Sequence, residues 1–120
     1  MRSVKTTNPN LIRLLYTLRK AARKNNARIW RTVAEHLSKP RRRRVAVNLS
    51  RINRYTQDGD VVVVPGKVLG SGLLTHSVTV AAFDFSRQAR QKIVDAKGKC
   101  LSIPELIELN PKGSNVKIIG

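Results

Sequence analysis

Four consecutive β-branched residues, Val61, Val62, Val63 and Val64, constrain the fold of this chain more than any other feature. Asp58-Gly59-Asp60 marks a turn before them, and Pro65-Gly66 suits the central positions of a type II turn after them. An unbroken apolar run between turn signals reads as a strand buried on both faces. Shorter strand patterns lie around it at Val45 to Leu49, Lys67 to Leu69, Val78 to Phe83, Leu101 to Ile103 and Val116 to Ile119. Helical patterns fall between them. Ser50 suits the cap of a short turn of helix through Arg54 and Tyr55. Asp84 or Ser86 caps a helix to about Lys97, with Gly98 as its C′ residue, and Pro104 opens a short helix through Leu109. Strands and helices therefore interleave after residue 45, which predicts a mixed α/β domain.

The segment before it is helical. Asn8 is placed as an N-cap and Pro9 as the first helical residue. Leu11, Leu14, Leu15, Leu18, Ala21 and Ala22 then recur over an arc of ~120°, a core-facing stripe at 100° per residue. Arg13, Lys20 and Lys24 lie opposite, and Arg19 and Arg23 lie on one flank. A second helix from about Ala27 to Leu37 carries Ile29, Trp30, Val33, Ala34 and Leu37 on its apolar face, and Pro40 prevents its continuation. Arg31 and Glu35 can pair at i, i+4 on its polar face. Residues 1–7 read as an extended arm. The expected organisation is one domain over 1–120, with 1–44 as basic arm, two helices and arginine loop, and 45–120 as the α/β core.

The charge is segregated. Residues 1–54 hold 16 Lys and Arg against one acid, Glu35, while residues 55–120 hold 8 against 6. Most of the formal +17 is thus in the first half, and a polyanionic partner is the economical explanation. No run approaches the ~20 apolar residues of a membrane span, and the first ten residues lack the apolar stretch of a signal peptide. Cys100 is the only cysteine, so no intrachain disulfide can form; it reads as a buried, inert thiol in a reducing, intracellular compartment.

Arg41, Arg42, Arg43 and Arg44 are the sharpest local feature. Each guanidinium presents a planar fork that suits phosphate oxygens. The second helix lacks the polar face of a DNA recognition helix, and Phe83 and Phe85 alone do not make a base-stacking sheet. The pattern fits shape and phosphate recognition of folded RNA. Gly70 to Ser77, read as a hairpin loop, is a second candidate contact, with glycines that admit phosphate and with Lys67 and His76 as donors. It is not a Walker loop, since no hydroxyl follows Lys67. Two separated histidines and one cysteine make no metal cluster, and no nucleophile, base and orienter can be assembled. His36 reads as a packed or rim histidine.

The blocks Val47-Asn48-Leu49-Ser50-Arg51-Ile52-Asn53-Arg54-Tyr55, Gly59 through Gly70, Val78 through Phe83 and Asn110-Pro111-Lys112-Gly113 strongly resemble the archaeal and eukaryotic large-subunit ribosomal protein family L-eighteen-e. They are similar, more distantly, to the core of the bacterial-type family L-fifteen. The resemblance covers the whole chain. It implies a cytoplasmic structural constituent of the large subunit that binds large-subunit ribosomal RNA beside neighbouring ribosomal proteins. It also implies an irregular layered β-β-α core with short strands, no catalysis, no cofactor, no metal and no small-molecule substrate. The compact length looks archaeal. The expected RNA contacts are Arg2, Lys5, Arg13, Lys20, Lys24, Arg41, Arg42, Arg43, Arg44, Asn48, Arg51, Arg54, Lys67, Gly70, Gly72, His76 and Lys112. Two other classes compete: an RNA-processing enzyme that docks substrate on its basic half, and a DNA-compacting protein.

Overall fold

The structure, a computed structural model, describes residues 8–39 and 45–120. The predicted double-faced strand is its centre. β2 (Asp60–Leu69) pairs in parallel with β3 (Val78–Phe85) on one side. On the other side it takes two short parallel strands placed end to end. β1 (Val45–Asn48) pairs with residues 66–69 of β2, and β5 (Val116–Ile118) pairs with residues 61–63. β4 (Lys99–Ser102) completes the sheet beyond β3. All four pairings are parallel, so the sheet needs a helical layer on each face.

Alternation along β2 and β3 sorts the core into two clusters. Val63 and Ala81 face α1 (Pro9–Asn25), α2 (Arg28–Leu37) and α5 (Ile103–Leu109). Val62, Val64, Val80 and Ala82 face α3 (Leu49–Tyr55) and α4 (Arg87–Asp95). The mixed α/β class and the helical N-terminal segment are as expected, and the layered core takes the form of one parallel sheet between two helical layers.

The N-terminal pair is seated as its apolar stripes dictate. Leu11, Leu14, Leu15, Leu18, Ala21 and Ala22 are the buried residues of α1, and Trp30, Val33, Ala34 and Leu37 those of α2. The Asn8 side chain accepts from the Asn10 and Leu11 amides, and Asn26 closes α1 in the left-handed conformation at φ 50°. Trp30 is fully buried, and its Nε1 donates to the Pro111 carbonyl at 2.7 Å. That bond ties the 110–113 turn to α2, and Gly113, at φ 65°, lies where a Cβ would press on Ile29. Arg31 and Glu35 do not pair. The ion pairs among the described residues are Lys117–Asp60 and Lys67–Asp84, and the Arg-before-Glu order is the weaker one for a helix pair.

Three local expectations are corrected. Pro65-Gly66 is not a turn: β2 continues through it with a register shift, so that Val64 pairs with Ala82 and Lys67 with Asp84. The extra residue makes a bulge, where proline is tolerated because no ladder N–H is needed. Gly66 is required there because β1 passes so close that a Cβ would lie 2.0 Å from the Val45 carbonyl oxygen. Second, the α3 cap position is Asn48, not Ser50. Third, Lys97 rather than Gly98 takes the left-handed residue after α4, at φ 66°, and Gly98 is small because a Cβ would meet the Val78 carbonyl.

The 70–77 segment is also not a hairpin loop. It joins two parallel strands, and it does so without a helix. From Leu69 to Val78 there are as many steps as along β2 itself, about 30 Å of strand to retrace, so the segment must run almost fully extended. Such a path has no backbone ladder of its own and borrows hydrogen bonds from its neighbours. Ser71 O accepts from the Ser50 amide, and the Asn53 side chain accepts from the Thr75 amide and hydroxyl. The buried Thr56 hydroxyl donates to Ile52 O at 2.7 Å and is hydrogen-bonded to His76 Nε2 at 2.7 Å. Lys92 donates to Gly70 O at 2.7 Å and to Gly72 O at 2.9 Å. Replacing Lys92 with methionine keeps the stem and removes both bonds. The expected loss is about 2–3 kcal/mol, read as a lower urea midpoint with unchanged slope.

Candidate nucleic-acid interface

The packing of α1 against α2 buries one face of each and leaves a seam outside. Arg19 and Arg23 come from the flank of α1 that looks across to α2. Arg31, Glu35 and Ser38 come from α2, and Lys39 follows it. With Ala22 and Ala34 as floor they enclose an open groove of about 610 Å³. Arg19 donates to the Ser38 hydroxyl at 3.4 Å across the seam, and Ser38 in turn donates to Ala34 O at 2.8 Å. Four cations around a shallow trough make a strong local anion field. The outer surface of α1 adds Arg13, Lys20 and Lys24, all exposed, and α2 adds exposed Arg28.

A second cationic site lies where α3 meets the β5 edge. Arg51 sits 5.4 Å from the centroid of the exposed Tyr55 ring and donates to Gly120 O at 3.2 Å. Lys117 donates to Tyr55 O at 3.2 Å and to the Asp60 carboxylate at 2.9 Å. The Gln57 amide, and then Lys117, hold the Asp60 carboxyl below the usual carboxylate range. Arg51, Tyr55, Lys117 and Gly120 line a cleft of about 480 Å³ together with Ile118 and Ile119. Arg54 and Asn48 are exposed on the same layer.

The expected contacts thus divide between two faces. Arg13, Lys20 and Lys24 belong to the α1/α2 layer, whereas Asn48, Arg51 and Arg54 belong to the α3 layer across the sheet. Lys67 is exposed and 3.9 Å from Asp84. Lys112 is exposed on the turn held by Trp30. Gly70 is buried beneath Gln88, Gly72 packs on Ser50, and half-buried His76 is bonded to Thr56. Packing alone accounts for those three. Arg2, Lys5 and Arg41, Arg42, Arg43 and Arg44 lie outside the described residues. Sequence reasoning passed over the groove residues Arg19, Arg23, Arg31 and Lys39. The available signal was that Arg19 and Arg23 share the flank between the apolar and polar faces of α1, where a partner helix leaves a seam.

Among the described residues no group of three or more His, Cys, Asp or Glu could hold a metal, and no helix is long and apolar enough to cross a membrane. Cys100 is half-buried on β4, and desolvation raises its thiol pKa against a lowering by Arg90. Modification by a neutral-pH thiol reagent is expected to be several-fold slower than for a free cysteine, as a stopped-flow assay would read, because the thiolate is the reacting form.

This geometry, a parallel sheet with a cationic helix pair on one side, is compatible with many RNA-binding proteins. Comparison with known proteins decides between them. The family model described as Ribosomal protein 60S L18 and 50S L18e matches residues 1–120. The chain belongs to that family. It is 52% identical over 118 residues to the Large ribosomal subunit protein eL18 of Methanoregula boonei, covering 98% of each chain. It is 50% identical over 119 residues to the eL18 protein of Methanococcus maripaludis, covering 99% of each. The Methanothermobacter thermautotrophicus eL18 protein is also 50% identical over 119 residues, 99% of this chain and 98% of the relative. The family match spans the basic helices as well as the α/β core.

Proposed function

We propose that this chain is a non-catalytic structural constituent of the large ribosomal subunit. It binds large-subunit ribosomal RNA and sits among neighbouring ribosomal proteins in the cytoplasm. The observation that carries this reading is the way the basic half is seated. α1 and α2 are fixed to the sheet by buried stripes, so Arg13, Arg19, Lys20, Arg23, Lys24 and Arg31 project from a rigid surface. Prepositioned cations neutralise converging phosphates without first being ordered, which is how a folded anchor stabilises RNA tertiary structure. Residues 41–44 follow directly after the groove in the chain and extend the same chemistry.

The test is the salt dependence of binding to ribosomal RNA. Replacing Arg41, Arg42, Arg43 and Arg44 with serine should lower the magnitude of the log K versus log salt slope by roughly 3, at ~0.7–0.9 for each phosphate contact. Filter binding across a salt series would read it. An unchanged slope would remove the tract from the interface. Equal affinity for duplex DNA would favour the DNA-compacting alternative, and turnover of the RNA by pure protein would favour the enzyme.

A further inference from the structure

The α1/α2 groove contains one group that phosphate binding does not explain. Glu35 is the only acid in residues 1–54, and it lies on the wall of the groove beside Arg31 and Lys39. Neither ion pair among the described residues involves it. A carboxylate here weakens the attraction for a phosphate, and a groove built only for backbone contact has no use for it. It suits a ligand that is anionic at one end and presents N–H donors at the other.

From this we propose that the groove receives a single unstacked guanine nucleotide of the bound RNA. The proposal rests on the RNA-binding reading above. Arg19 and Arg23 take the phosphate. The base lies over Ala22 and Ala34, and a guanidinium plane such as that of Arg31 can stack on it. Glu35 accepts from the two adjacent donors of the guanine Watson–Crick edge, N1–H and the N2 amine. No other common base presents two such neighbouring donors on that edge, so the carboxylate selects guanine. The groove volume of about 610 Å³ lies within the range of small-ligand sites and accommodates one nucleotide rather than a stacked helix. Folded RNA offers such bases in bulges and loops, where they are already out of the stack.

Amide chemical shifts of the full chain provide the test, with 5′-GMP, 5′-AMP and inorganic phosphate as separate probes. GMP should shift the amides of residues 19–23 and 31–39 and bind about tenfold more tightly than AMP, the discrimination of one good bidentate base contact. Inorganic phosphate should shift the α1 side of the groove alone. Glu35→Gln, at an exposed position outside both ion pairs of the described residues, should fold normally, lose the preference for GMP over AMP and keep phosphate binding. Equal binding of GMP and AMP by the unaltered chain, shifts that map outside the groove, or no shifts at all would each overturn the inference. A parallel salt titration with intact ribosomal RNA separates the two readings. If the RNA binds with a steep slope while GMP and AMP behave alike, only the nucleotide site fails.

Discussion

Trp30→Ala is expected to remove a large fraction of the chain's folding stability. Trp30 is the only tryptophan and is fully buried between α2 and the sheet. Truncating a buried tryptophan costs about 3–5 kcal/mol through lost burial and the cavity left behind. Domains of this kind have only about 5–15 kcal/mol in total. The indole also carries the bond to Pro111 O at 2.7 Å, so the same substitution frees the 110–113 turn that leads into β5. Trp30→Phe keeps an aromatic ring in the core but removes the N–H together with the pyrrole half of the indole, for a smaller expected loss of about 1–3 kcal/mol. Urea unfolding followed by circular dichroism reads both. A loss below about 1 kcal/mol for the alanine variant would mean that the N-terminal helices are not anchored as described.

Gly66→Ala is expected to have the second largest effect. An added Cβ would sit 2.0 Å from the Val45 carbonyl oxygen, and the obstacle is backbone rather than a flexible side chain. The strands must part. Overpacking of this kind costs about 1–3 kcal/mol and occasionally more, and a backbone collision belongs at the upper end. β1 has β2 as its sheet partner, so the strain should detach β1 before it unfolds the rest. Hydrogen exchange should therefore accelerate at Ala46 to Asn48 while β3 stays protected. Uniform acceleration across the sheet would show that β1 does not yield locally.

What was legible in the sequence followed from periodicity and caps. The six-residue stripe of α1 coincides with its buried residues because 3.6-residue spacing and an Asn-Pro start leave one helix and one face. The Val61–Val64 run located the centre of the sheet because only a doubly covered strand is apolar at every position. Illegible parts depended on partners distant in the chain. Pro65-Gly66 has the composition of a turn, and only the approach of β1 and the shifted β3 register make it a bulge. The 70–77 segment carries glycines that suit a loop, yet Gly70 and Gly72 are dictated by Gln88 and Ser50. The capping box of α5, with Ser102 and Glu105 bonding each other's amides, was legible as a Ser-x-x-Glu spacing and was passed over. The Ser102 amide and hydroxyl lower the Glu105 pKa, so this cap is present above the ordinary glutamate range and is lost as pH falls through the depressed value. For the interface, charge segregation was enough to name a polyanionic partner. The groove was not visible, because it is made by two helix flanks that the sequence places eight or more residues apart.

The most direct measurement is co-sedimentation of the chain with large ribosomal subunits through a high-salt wash. At about 0.5 M salt, exposed charges more than roughly 5 Å apart are screened, so nonspecific cationic adhesion is released. A folded anchor held by many shaped contacts should remain with the large subunit and be absent from the small one. Complete release into the supernatant, or equal recovery with both subunits, would contradict the account.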